Sequence, residues 1–198
     1  SKICKVVGKK SPVNLIYEMF LDEKGEKISM SVGNGISVDE WLRYGSPESL
    51  SLFMYQKPKS AKKLFFDVIP KTVDEYISHC NSYERLDDQK KFDSPVWHIH
   101  SGKPINFKSE ITFNSLTNLV SICNTSDKNI IWGFVNQYDA SINPENNSKF
   151  DNLIDYSINY YNDFVLPHKK YLSIDDDNKA VFENIRDLLK HKINDNTS

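Results

Sequence analysis

Apolar positions along most of this chain recur at helical spacing. Val73, Tyr76, Ile77 and Cys80 share one face of a helix predicted over 68–83. Leu116, Leu119, Val120 and Cys123 do the same over 114–123, and Ile130, Ile131, Phe134 and Val135 over 127–138. The strongest pattern covers 150–166. There Leu153, Ile154, Ser157, Ile158, Tyr161, Phe164 and Val165 line one side, and Pro167 closes the helix. A last amphipathic helix is predicted over 178–193, with Val181, Ile185, Leu188 and Leu189. A turn and cap at Ser173–Asp177 precede it, and a polar tail, 194–198, comes after it.

Shorter elements are marked by their ends. Ser37 to Glu40 reads as a capping box, with Trp41 and Leu42 opening the apolar face, a cap worth ~1 kcal/mol. Gly45 ends that helix. Ser46 and Pro47 start the next as N-cap and first helical residue, with Leu50, Phe53 and Met54 on one face. Asp67 is expected to cap the 68–83 helix, with Pro70 tolerated in its first turn. Ile3, Val6 and Val7 before Gly8 read as the end of a helix stopped by glycine. One stretch breaks the helical rhythm. Leu15–Leu21 suits a strand, and Asp22–Gly25 suits a hairpin turn into Glu26–Ser29. The expected fold is mainly α, a helical bundle or cage with a small N-terminal β-hairpin.

With 198 residues, 39% of them hydrophobic and 12% aromatic, the chain can build a real core as one domain or two small ones. The net charge of −2 offers no global attraction to nucleic acid, so any such contact needs a local patch. The densest is QKPKSAKK, with Lys57, Lys59, Lys62 and Lys63. By pattern alone it is a solvated linker; the functional reading is contact with a phosphate backbone, aided by Arg43 and Tyr55. Residues 82–93 are charged and expected to be solvated. Cys4, Cys80 and Cys123 lie far apart, with no metal spacing and no disulfide framework, which fits a reducing cytoplasm. No apolar run approaches a membrane span, and no signal-peptide pattern opens the chain. His98 and His100 would project to one side of a strand, as zinc ligands can, but no third ligand stands near. The expectation is therefore no metal, and a buried aromatic connection anchored by Trp97. His79 belongs to a helix surface. Tyr156, Tyr160 and Tyr161 are expected in the core, with base stacking as their second reading.

Candidate chemistry concentrates in Lys27-Ile28-Ser29-Met30-Ser31-Val32-Gly33-Asn34-Gly35. Glycines able to take positive φ can turn backbone N–H groups toward an anion, and Lys27, Ser29 and Ser31 add charge and donors. By spacing alone such a loop is more often a simple polar turn.

This loop and the residues after it resemble the signature-loop region of class I lysine–tRNA ligases. In that family a KMSKS-type loop precedes Gly-Asn-Gly, a tryptophan-bearing helix and a Gln-Lys-Pro segment, here Gly33–Gly35, Trp41 and Gln56–Pro58. Phe66–Pro70, Pro95–His100, Ile131–Phe134 and Asp155–Val165 continue the likeness, which weakens after about Pro167. The resemblance implies ATP-dependent attachment of lysine to tRNA-Lys in the cytoplasm, with ATP, lysine and tRNA-Lys as ligands and no membrane. It implies catalytic roles for Lys27, Ser29 and Ser31, and contact with ATP phosphates by Lys27, Gly33, Asn34 and Gly35. It further implies tRNA contact by Arg43, Lys57, Lys59, Lys62 and Lys63. Met30 stands where the family has a second lysine, and Val32 where it has another basic residue, so a weakened or dead loop is expected. The family's nucleotide-binding fold and HIGH-type motif lie upstream of this region, and the stretch before Lys27 is too short to supply them. The chain, which begins at Ser1 rather than Met, is therefore expected to be a later piece of such a ligase, inactive alone. The implied parts are the end of the catalytic domain (1–36), a connecting helical domain that contacts the tRNA stem (37–110) and the start of the anticodon-binding helices (111–198). The alternative is a non-catalytic remnant that still grips RNA.

Overall fold

A computed structural model describes residues 2–29, 31–170 and 176–195. Met30, most of the expected turn at Ser173–Asp177 and the end of the polar tail lie outside the described residues. The chain divides into two compact units, Ser1–Leu166 and Pro167–Ser198.

The first unit is mainly helical. It begins with α1 (Lys2–Val6), which ends as its sequence predicts. Gly8 takes φ +63°, and Gly8 and Lys9 donate to the carbonyls of Lys5 and Cys4, the paired bonds of a glycine-stopped helix. The strand expected over 15–21 is only β1 (Phe20–Leu21). Leu15 is 80% exposed and has no sheet face to cover it, so the rest of the apolar run stays irregular. The pairing also differs from a hairpin ladder. β1 pairs in parallel with β2 (Lys62–Lys63), and only one antiparallel bridge, Leu21 to Lys27, joins it to the segment after the turn.

Next come α2 (Val38–Leu42) and α3 (Pro47–Tyr55). The capping box forms in full: Ser37 Oγ accepts from Glu40 N, and Glu40 Oε2 accepts from Ser37 N at 2.7 Å. Gly45 serves packing rather than a left-handed turn. A Cβ there would lie 3.0–3.2 Å from Ser49, Trp41 and Val73. The buried face of α3 is Ser49 and Leu52, with Leu50 and Phe53 half-buried and Met54 exposed, so the expected face is rotated. The cause is Trp41, whose Nε1 donates to Ser49 Oγ at 3.1 Å and so draws that side inward.

The helix α4 (Val68–Ser82) buries Val73, Tyr76, Ile77 and Cys80 as predicted. Asp67 does not cap it. Its own backbone is already helical, and turn bonds from Val68 and Ile69 back to Phe65 and Phe66 open the helix instead. The charged stretch is solvated but not irregular. It holds a 3₁₀ turn (Tyr83–Arg85) and α5 (Asp88–Asp93), and Ser94 then links α5 to α6 (Pro95–Ile99). α7 (Phe113–Cys123), α8 (Lys128–Tyr138) and α9 (Ser148–Tyr160) come next, and a π-helical turn (Tyr161–Val165) carries α9 onward. α4 packs on α3, α6 and α7, and α7 on α9, around Trp41, Tyr76, Phe113, Phe150 and Tyr161. In α8 the buried residues are Ile131, Trp132 and Val135, while Ile130 and Phe134 face out. Trp132 Nε1 reaches Asp151 on α9 at 2.9 Å, which turns the helix away from the face its aliphatics alone predict. Tyr161 is fully buried, while Tyr156 and Tyr160 are half-buried against the core.

The second unit contains α10 (Asp176–Asp195), a 20-residue helix. Val181, Phe182, Ile185, Leu188 and Leu189 fall along it, each about half exposed or more. No described helix is long and apolar enough to cross a membrane.

Candidate functional site

The loop at 27–35 sits at the surface, beyond the turn after β1. Asp22 organises that turn. Its Oδ1 accepts from Glu26 N at 2.8 Å, and its backbone N donates to Glu26 O. Its Oδ2 accepts from Asn34 Nδ2 at 2.8 Å. Asn34 closes the loop from within, accepting from Ser29 N at 3.0 Å and donating also toward Lys27 O. The Asn34 bond, and after it that from Glu26, holds the Asp22 carboxyl below its usual range. Both ends of the loop are thus clamped on one amide side chain. Asn34 is a positioning residue here, a part that residue type did not reveal.

The two glycines act differently. Gly33 takes φ +69° with open space where a side chain would be. Gly35 has no such φ; a Cβ there would lie 2.5 Å from Ile28 Cγ2, so it is small because the loop's two limbs touch. The expectation of positive φ at both is corrected to one. The N–H groups of Val32 and Gly33 both donate to Ser29 O, at 3.1 and 3.0 Å. In this conformation they close the turn rather than point at an anion. The donors left outward are the hydroxyls of Ser29 and Ser31, 2.9 Å apart, and the exposed Lys27. No ion pair is made by the Lys27 ammonium among the described residues. The described residues of the loop thus offer two adjacent hydroxyls and one exposed lysine as donors.

The basic segment lies beside β1 and the turn after it, which sequence distance hides. Glu18 N donates to Pro58 O at 2.8 Å and Leu64 N to Leu21 O at 2.7 Å, so 58–64 runs along 18–21. Its four lysines then separate into two kinds. Lys62 is half-buried, and its ammonium caps the last carbonyls of α3 at Phe53 and Met54 while lying 5.1 Å over the Phe53 ring. Burial lowers its pKa. Lys63 Nζ donates to Glu23 O at 2.9 Å, pinning the turn after β1. Lys57 and Lys59 are exposed. Arg43 pairs with Asp163 at 2.8 Å, although its side chain stays 59% exposed. That partner belongs to the π-helical turn after α9, not to the lysine segment. An apolar groove of about 980 Å³ adjoins the segment, lined by Tyr17, Phe20, Trp41, Met54 and Tyr55 among others.

His98 and His100 do not form a pair. They lie in a helix and its cap, where residues two apart point nearly opposite ways. His98 stacks on Tyr55, and His100 Nε2 is 2.9 Å from the Tyr76 hydroxyl. The fully buried anchor there is Val96; Trp97 is half-buried. Among the described residues no three His, Cys, Asp or Glu side chains gather as a metal site requires.

Comparison with known proteins gives a consistent picture. The family model described as tRNA synthetases class I (K) matches residues 1–103. A lysine–tRNA ligase of Rickettsia bellii (strain RML369-C) is 51% identical over 192 residues, which is 96% of this chain and 37% of that protein. One from Rickettsia felis is 48% identical over 199 residues, 100% of this chain and 38% of the relative. The chain therefore spans a little over a third of the length of the curated relatives it matches. No solved structure matches it at a significant level.

Proposed function

The chain belongs to the class I tRNA synthetases (K), and from that premise we propose that it is part of a lysine–tRNA ligase, supplying the loop that meets ATP phosphates and a helical surface for tRNA-Lys. The observation that carries this reading is near 50% identity to lysine–tRNA ligases across nearly the whole chain. Lys27 and Ser31, exposed on the loop, and the half-buried Ser29 beside Ser31 support it as the donors of a small anion cradle. The parent's reaction joins lysine to tRNA-Lys in two steps, lysine being activated with ATP and then transferred to the tRNA 3′ end, in the cytoplasm. In the proposed arrangement 1–36 ends the catalytic domain, 37–110 meets the tRNA stem and 111–198 begins the anticodon-binding helices.

Charge grows on the α-phosphate and departing pyrophosphate during activation. Donors fixed before the reaction stabilise that charge most in the transition state. Lys27 supplies the cation, the two serine hydroxyls supply hydrogen bonds, and Asn34 with Gly33 and Gly35 holds their backbone in place. Opening the Ser29 carbonyl turn would release the Val32 and Gly33 N–H groups to phosphate oxygens as the loop closes. Met30, where relatives by the family pattern carry a lysine, leaves the cradle one cation short. Such a deficit corresponds to ~3 kcal/mol, or ~100-fold or more in rate. The chain alone is expected to be inactive, since among the described residues the one sheet has two strands.

Two measurements test this. Lysine-dependent ATP–pyrophosphate exchange in a full-length ligase carrying this loop should be slow and should rise ~100-fold with Met30→Lys; near-normal rates before substitution would refute the weakened loop. Gel shift of the 198-residue chain with tRNA-Lys should show salt-sensitive binding, reduced by Lys57→Glu and Lys59→Glu. No preference for tRNA over random RNA would remove the tRNA half of the reading.

A further inference from the structure

A run of aromatic rings lies at the surface beyond the basic segment. Tyr55 ends α3, and its ring stacks on His98 with centroids 5.5 Å apart and planes 22° apart. Trp97 meets His98 edge-on at 4.9 Å. Phe92 on α5 reaches both, at 4.7 Å from Trp97 and 6.0 Å from His98. These four rings come from three helices, yet they are not a core. Tyr55 is 48% and Phe92 55% exposed. A second ring cluster, Tyr44, Phe66, Tyr160 and Phe164, is by contrast packed against the buried centre. Exposed rings lose the apolar burial that usually justifies them, so packing alone does not explain the surface group.

The charges around it are sorted. Lys57 and Lys59 lie just after Tyr55 in the chain and are exposed, and Lys57 holds φ +44°, a tight turn directly after the ring. Lys91 precedes Phe92 and lies 5.9 Å over the Tyr83 ring. The nearby carboxylates on α5 and its cap are partly engaged: Asp87 pairs with Lys90 at 3.0 Å, and Asp93 accepts from Gln89. Asp88 remains, at the helix N-terminus. A parallel pair of exposed rings, followed in the chain by exposed lysines that make no ion pair among the described residues, offers what a base with its phosphate requires. A protein ligand would more naturally occupy the apolar groove, whose lining Tyr55 also joins.

We propose that Tyr55 and His98, stacked on one another and flanked edge-on by Phe92, form a stacking platform for an unpaired RNA base, with Lys57 and Lys59 holding the adjoining phosphates. The platform rests on the tRNA reading above but is narrower than it. It adds a recognition element for single-stranded nucleotides to a surface otherwise assigned only phosphate contacts.

The test uses the whole 198-residue chain and three probes: a tRNA-Lys transcript, a short oligoadenylate and a blunt RNA duplex. Tyr55→Ala and Phe92→Ala should each weaken oligoadenylate and tRNA binding about 5- to 100-fold and leave duplex binding unchanged. Tyr55→Phe should restore binding. Trp97 emission should be quenched by oligoadenylate in the wild type and not in Tyr55→Ala. Lys57→Glu with Lys59→Glu should weaken all three probes and flatten the salt dependence. Thermal melts confirm that each variant folds. Salt-sensitive tRNA binding that ignores both alanine variants overturns the platform and leaves the tRNA reading standing. Ring-dependent oligoadenylate binding without tRNA binding keeps the platform and sinks the tRNA reading. Binding of no RNA at all overturns both.

Discussion

The loop-bearing stretch 9–36 and the helical body 37–166 belong to one unit but are held by opposite physics. The body is organised by burial. Trp41, Tyr76, Phe113, Phe150 and Tyr161 are almost entirely removed from water, and polar groups serve to aim them, as Ser49 does for Trp41 and Asp151 for Trp132. The loop stretch adds little to that core: Ile36 packs against it and Phe20 stacks on Phe53, both half-buried. It is organised by one polar relay, Asp22 to Asn34 to Ser29, and by the Lys63 ammonium reaching the Glu23 carbonyl. The lesson is a division of labour. A body stabilised by apolar burial does not respond when the loop changes shape, and a loop clamped by a few hydrogen bonds can rearrange at small cost.

That contrast can be broken from the body side first. Phe113→Ala or Phe150→Ala should lower stability by ~3–5 kcal/mol in denaturant melts of the chain, because each leaves a large cavity at a fully buried site. A loss below about 1 kcal/mol would mean that the body is not close-packed. Asp74→Ala comes next. Asp74 is half-buried on α4, and its carboxylate accepts from Phe113 N and from Asn114 at the start of α7. Removing it strips those donors of a partner and should cost ~1–2 kcal/mol, read in the same melts.

The loop side should behave in reverse. Asn34→Ala should speed amide exchange at Ser29 and Gly33 while leaving α4 amides and the melting midpoint nearly unchanged, with an effect of ~0.5–1.5 kcal/mol confined to the loop. If the midpoint falls as it does for Phe113→Ala, the two regions are not separable. Lys62→Met should sharpen the boundary. It removes the cap on α3 and should destabilise the body measurably, by ~1 kcal/mol, whereas Lys59→Met should change RNA affinity only.

The smallest effect is in pH. Hydrogen bonds from the Ser37 backbone, then its hydroxyl, hold the Glu40 carboxyl below its usual value of 4.5. A lowered carboxyl contributes stability above its unfolded pKa and loses it as pH falls through the folded value. Unfolding midpoints should therefore drop slightly more below pH 4.5 in the wild type than in Glu40→Gln. The pair is exposed, so the difference should be small. Equal slopes would mean that the capping box carries no charge-dependent share.

Much of the body was legible in the sequence because its cues are local. Ser37 with Glu40, Ser46 with Pro47, Gly8 and the Val73–Cys80 stripe each specify an element through neighbours three or four residues away. The resemblance likewise needed only ordered short motifs. Misread positions have one of two causes: a turn or coil local to the site, or a partner elsewhere in the chain. Asp67 failed as a cap because the preceding turn was already helical. The α3 and α8 faces rotated because Trp41 and Trp132 each had a polar partner to reach. His98 and His100 parted because the segment coils rather than extends. In the loop, residue types pointed to donors for an anion, but not that Gly35 answers to Ile28 or that Asn34 faces inward.

What the amino-acid order determined alone was where helices start and stop, which side of most of them is apolar, and which loop carries the candidate phosphate chemistry. Those are properties of short windows, set by propensity, caps and periodicity. Only the tertiary structure decided that residues 58–64 run beside β1, that two of four neighbouring lysines are structural, and that Tyr55 meets His98. Each joins segments that are not adjacent in the chain. Its geometry depends on how whole helices pack, and no local pattern contains that information.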